Sequence, residues 1–240
     1  KLCGMGLPMG LQYSITAIGS VILQTAVNDM GSTYVAAVSA GSKISMFMCC
    51  PFDAMGSTMA TYGGQNVGAK RLDRVDQGLK ACIKMGIIYA LVALAFSIVF
   101  GKQLALLFVK KEPTELIGYI YEFVVINAAF YIFLALVNIV RFMIQWLGYS
   151  TFAILAGICE MIARSVAGFV LVPHFGFICV SLGSPLAWVC ADLFLIPGNH
   201  PGTYSTAPDN WQNPSQSSET GYTRPPAPGP SSAPASHKSR

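Results

Sequence analysis

Long apolar runs separated by short polar segments fill the chain from Leu7 to Ile196. The first run covers about Leu7 to Val27. Pro8 suits its opening turn, where a missing N–H leaves no partner unserved. Asn28-Asp29-Met30-Gly31-Ser32 reads as a polar turn. The second run, about Tyr34 to Met59, holds Lys43, Pro51 and Asp53, and Pro51 is expected to kink it. A polar, basic connection from Gly63 to Arg74 leads to the third run, about Ala81 to Phe100. Gly101 to Leu116 is expected outside the hydrocarbon. The fourth run covers about Ile117 to Met143, with Glu122 near its start and Arg141 near its end. The fifth covers about Thr151 to Val172, Pro173-His174-Phe175-Gly176 reads as a tight turn, and the sixth covers about Phe177 to Ile196.

Each run approaches or exceeds the roughly 20 residues a helix needs to cross a bilayer core. In lipid only helices and closed barrels satisfy the backbone internally. These runs are continuous, not alternating, so they predict helices. The predicted fold class is an all-α membrane protein, with six transmembrane helices forming one lobe over residues 1–197. Residues 198–240 are rich in Pro, Ser and Gly, bury too little apolar surface to offset chain entropy, and read as a disordered tail.

Composition narrows the classes. Hydrophobic residues make up 53% of the chain and charged residues 11%, against about 25% charged in a soluble domain. Too few polar side chains remain to cover a water-exposed surface, so the lipid bilayer is the first expected partner. The net charge of +4 is scattered, which argues against a nucleic-acid partner. The seven cysteines form no CxxC pair and read as packed thiols, with no metal site and no cofactor. The chain begins at Lys1 with no signal-peptide pattern, and its start reads as a cut. Lys70, Arg71, Arg74 and Lys80 make the connection after the second run more basic than the next, which holds Lys102, Lys110 and Lys111. The richer loop is expected in the cytoplasm, and an even number of crossings puts both termini there too.

Gly63 and Gly68 have phosphate-loop separation, but Ala69 follows where Lys is required, so nucleotide binding is rejected. With no HExxH, no GxSxG and no paired catalytic carboxylates, no enzymatic activity is expected. The same segment, Gly64-Gln65-Asn66-Val67-Gly68-Ala69-Lys70-Arg71, resembles the GQN-x-GA-(K/R) signature of the multidrug and toxic compound extrusion family. Gly6-Leu7-Pro8, Asn28 with Gly31, Gln145-Trp146-Leu147-Gly148-Tyr149-Ser150 and Ser184-Pro185-Leu186-Ala187-Trp188 are similar to later family motifs in the same order, although Trp146 stands where a Gly is expected. The resemblance covers residues 4 to 197 and corresponds to family helices seven to twelve.

That resemblance implies one lobe of a plasma-membrane exporter, whose partner would be a missing N-terminal six-helix lobe. The lobes would rock by alternating access. Sodium or proton entry would drive out small amphipathic or cationic compounds. In some branches carboxylates on the seventh and tenth helices take part in coupling. Residues 12–24 and 131–138 hold no acid here, which places coupling in the absent lobe. Two rivals stand beside this reading: a lipid-linked oligosaccharide flippase of the same superfamily, and a non-transporting half-length membrane fragment.

Charges inside apolar runs are the remaining pointers, because each costs at least about 2.5–3.5 kcal/mol at the bilayer centre. Glu160 and Arg164 share one helix face. They read either as a gate or substrate contact or as a self-neutralising pair that locks the lobe, the second being favoured. Lys43 and Asp53 lie about 15 Å apart along one axis and cannot pair directly. Asp53 either serves transport or offsets the basic segment after it. Asp192 reads as interfacial. Gln24 and Asn138 could line a cavity, or bond helix to helix, which is favoured.

Overall fold

The computed structural model describes residues 2–69, 71–109, 114–146 and 150–198. They are almost entirely helical, with no strand among the described residues. The elements are α1 (Leu2–Met30), α2 (Ser32–Gly68), α3 (Leu72–Phe108), α4 (Thr114–Ala129), α5 (Tyr131–Trp146), α6 (Ser150–Val166), a π turn (Ala167–Leu171), α7 (Val172–Phe175) and α8 (Phe177–Gly198). Among the described residues, four helices are long and apolar enough to cross a membrane, or five when the bent pair α4–α5 is taken as one span. At 29 residues α1 also has the length of a span.

Element boundaries depart from the sequence pattern in informative ways. The expected loop at Gly63–Gly68 is the last part of α2. At 37 residues that helix is about 55 Å long, nearly twice the hydrocarbon thickness. Its end therefore continues beyond the core, where the backbone ladder needs no break to meet water. Gly63 and Gly64 are buried there, so packing offsets their poor helix propensity. The helix passes through Pro51 as one element. Likewise α3 runs on to Phe108, past the expected end at Phe100.

The fourth run is not one straight helix. It bends by 51° between α4 and α5. Asn127 Nδ2 donates back to the Phe123 carbonyl at 2.8 Å and across to the Ser181 carbonyl on α8 at 3.3 Å, tying the bend to a neighbour. At the other expected turn, Pro173 sits in the first turn of α7 and only Gly176 leaves the helix, at φ 70°. The π turn ends at Leu171, two residues before Pro173. Widening the helix there accommodates a ring that would otherwise press on the carbonyl four residues back.

Within the bundle, α1, α6 and α8 pack together, while α2 packs on α3, α4 and α5. The bent pair joins the two groups by also touching α8. Small residues set the closest approach. A Cβ on Gly19 would lie 3.0 Å from Met161 Cα, and one on Gly157 would lie 3.2 Å from Gln12 Cγ, so α1 and α6 meet almost backbone to backbone. Large apolar side chains cover the outer faces, including Ile88, Val92, Val99 and Leu107 on α3 and Phe169 near the π turn. The predicted tail lies outside the described residues, apart from Gly198 at the end of α8.

Candidate functional site

A buried polar cluster forms where α1, α5, α6 and α8 meet. Glu160 on α6 is 2% exposed. It accepts a hydrogen bond from Arg141 Nη2 on α5. Arg164, one turn along α6, places Nη1 3.6 Å from the other Glu160 oxygen and donates to the Thr16 carbonyl of α1 at 3.3 Å. The expected Glu160–Arg164 pair is therefore present, but Arg141 is the more intimate partner. The Gln12 amide lies between Gln145 and Arg141. With its oxygen turned to Arg141 it accepts from Nη1 at 3.1 Å and from Nε at 3.2 Å.

Asp192 on α8 also belongs to this interior. It is 2% exposed, and both carboxylate oxygens are buried without a hydrogen-bond donor. Arg141 is within its electrostatic reach. Sequence reasoning did not select Arg141, Gln12, Gln145 or Asp192 as a group. The available signal was that each is polar inside an apolar run. Their convergence is a tertiary fact.

The other candidates divide. Asn138 Nδ2 on α5 donates to Asp53 Oδ1 on α2 at 2.9 Å, so these two meet across helices. Gln24 instead donates to Asn28 Oδ1 at 3.2 Å along its own helix, so it does not bond helix to helix as expected. Lys43 is exposed on α2. It shares one face of that helix with Ser39, Asp53, Ser57 and Thr61, all exposed. This polar stripe also exposes Met46 and Cys50, but it carries two charges, unlike the apolar outer face of α3. It ends in a shallow recess of about 430 Å³ lined by Ser57, Thr58, Thr61, Tyr62 and Gln65.

The signature residues build an elbow. Ala69 N–H donates to the Gln65 carbonyl at 3.1 Å, and Arg71 N–H donates to the Asn66 carbonyl at 2.8 Å. Asn66 Nδ2 donates to the Tyr62 carbonyl at 2.8 Å, and Tyr62 Oη donates to the Arg74 carbonyl on α3 at 3.2 Å. Gly64 and Gly68 lie in the last helical turns. These bonds close the end of α2 and turn the chain directly into α3. Among the described residues, no group of three or more His, Cys, Asp or Glu side chains is placed to hold a metal ion.

The family model MatE matches residues 8–170. The chain belongs to the MatE family. This MatE chain is a multi-pass membrane protein of a transporter family. It is 23% identical over 118 residues to the probable multidrug resistance protein YoeA of Bacillus subtilis (strain 168), an alignment covering 49% of this chain and 26% of that protein. Its fold is similar to that of a solved MATE in complex with MaL6, at TM-score 0.76 and 19% identity, covering 85% of this chain and 46% of that one. It is also similar to a MOP superfamily transporter from Pyrococcus furiosus, at TM-score 0.74 and 15% identity, covering 83% and 44%. The MatE chain thus spans less than half the length of each relative.

Proposed function

We propose that the MatE chain is one lobe of a cation-coupled antiporter that exports amphipathic, cationic compounds from the cytoplasm across the plasma membrane. The observation that carries this reading is the polar stripe of α2. Lys43 and Asp53 are both exposed on it, although a charge facing hydrocarbon is costly. The stripe is suited to the wall of a water-filled cavity opposite a second six-helix lobe. Asp53 supplies the negative charge that a cationic substrate would meet, and its bond to Asn138 holds that carboxylate in place. In this orientation the basic elbow after α2 and both ends of the lobe face the cytoplasm.

The test is ethidium efflux from vesicles in which this chain is paired with a six-helix N-terminal lobe, under sodium and proton gradients imposed separately. Efflux under one gradient is the expected result. Asp53→Asn is expected to lower it about tenfold, equivalent to ~1.4 kcal/mol of lost binding. Efflux insensitive to both gradients rejects coupling. Translocation of a lipid pyrophosphate in place of ethidium transfers the lobe to the flippase reading.

A further inference from the structure

We propose that Asp192 is a proton-binding site, and that its proton decides which carboxylate Arg141 holds. Asp192 is buried from solvent and receives no hydrogen bond at either oxygen. Nearby donors point elsewhere. Arg141 gives Nη2 to Glu160, while its Nη1 and Nε face Gln12. Arg164 Nη1 serves Thr16 and Glu160, and its Nε is buried without a partner and does not reach Asp192. A carboxylate ion buried without a donor is strongly disfavoured, and such a group neutralises itself by taking a proton. A proton needs no coordination shell. A metal ion would need several oxygens and would meet two guanidinium groups in the same interior.

Among the helices packed on α8, α5 brings Arg141 within reach of Asp192 and sets Tyr131 against Trp188, α6 carries Glu160 beside Arg141 and Arg164 and the Cys159 thiol near Cys190, and α1 brings Tyr13 to Arg141. On α4, Tyr119 packs against Phe177 with ring centroids 5.1 Å apart. Tyr119, Glu115 and Glu122, together with His174 of α7, therefore flank the start of α8, roughly 22 Å along the axis from Asp192. Arg141 is the cation able to choose between acids on two different helices.

With the proton on Asp192, Arg141 stays with Glu160, which is the arrangement observed. When the proton leaves to water, the Asp192 anion competes with Glu160 for the same guanidinium. Arg141 belongs to α5, Glu160 to α6 and Asp192 to α8, so the exchange draws α5 toward α8. Trp188 sits one turn before Asp192, with its ring centroid 6.2 Å from that of Tyr131 on α5. It lies where the movement would be felt. This inference stands apart from the transport reading, because its test detects a proton and a helix shift without any substrate.

The test uses the full chain in lipid nanodiscs. Infrared pH titration with carboxyl-¹³C aspartate should show a protonated aspartic acid band at neutral pH that bleaches as pH rises. The band should vanish in Asp192→Asn and persist in Asp53→Asn. With Trp146 and Trp211 replaced by Phe, Trp188 emission should shift over the same pH range, and Asp192→Asn should hold it at the low-pH value. Absence of a labelled band in the unmutated chain overturns the proposal whether or not any variant folds. So does a band that survives Asp192→Asn, or one displaced by sodium at constant pH. A band that titrates without a Trp188 response overturns the exchange of Arg141.

Discussion

Glu160 illustrates how a buried charge is tolerated at the scale of one residue. It lies between two guanidinium groups, Arg141 and Arg164. Together they replace the water that Glu160 loses on burial. Removing its charge would leave both arginines buried without an anionic neighbour in contact. Glu160→Gln is therefore expected to destabilise the lobe by about 3–5 kcal/mol, read as a lower thermal midpoint in detergent. Arg164→Lys tests geometry. The shorter, single-point ammonium cannot reach Glu160 and the Thr16 carbonyl with one planar group, so a smaller loss is expected in the same measurement.

At the scale of the element, two glycines carry specific close contacts. Gly78 on α3 faces the Tyr62 ring, and an added Cβ would overlap it. Gly78→Ala is expected to push Tyr62 off α3, break its bond to Arg74 and cost about 1–3 kcal/mol. A double-mutant cycle with Tyr62→Ala should show the two changes to be strongly non-additive. Gly19 faces backbone, not a flexible side chain, since its nearest neighbour is Met161 Cα. Gly19→Val should therefore separate α1 from α6 and disturb the Gln12–Arg141 contact. The expected result is faster proteolysis at the ends of α1 than in the unmutated chain.

For the whole molecule, the division of surface is the main physical fact. The outer face of α3 exposes residues such as Leu107, at 76%, while one face of α2 exposes Lys43 and Asp53. Such a body needs two solvents. The purified chain is expected to elute as one species in detergent or nanodiscs and to aggregate when detergent is withdrawn, as read by size-exclusion chromatography. In the proposed reading the α2 stripe faces an opposing lobe, and Asp53→Asn tests that face in the efflux measurement above.

The sequence by itself determined the solvent, the secondary structure and the family. Runs of apolar residues near bilayer length can satisfy their backbones only as helices. The Gly64–Arg71 motif was readable because it lies in one continuous stretch. Local spacing also made the Glu160–Arg164 pair legible, since four residues span one helical turn. Only the tertiary structure decided that Arg141, 19 positions away, holds Glu160 more closely. It also placed Gln12 beside Arg141, brought Asn138 onto Asp53, and left Asp192 inside without a donor. The bend between α4 and α5 was equally hidden, because no Pro or Gly marks it and Asn127 anchors it through a carbonyl on another helix. Periodicity reports what each helix presents to its surroundings. Which helix meets that face depends on close approaches such as Gly19 on Met161, and these exist only once the bundle has packed.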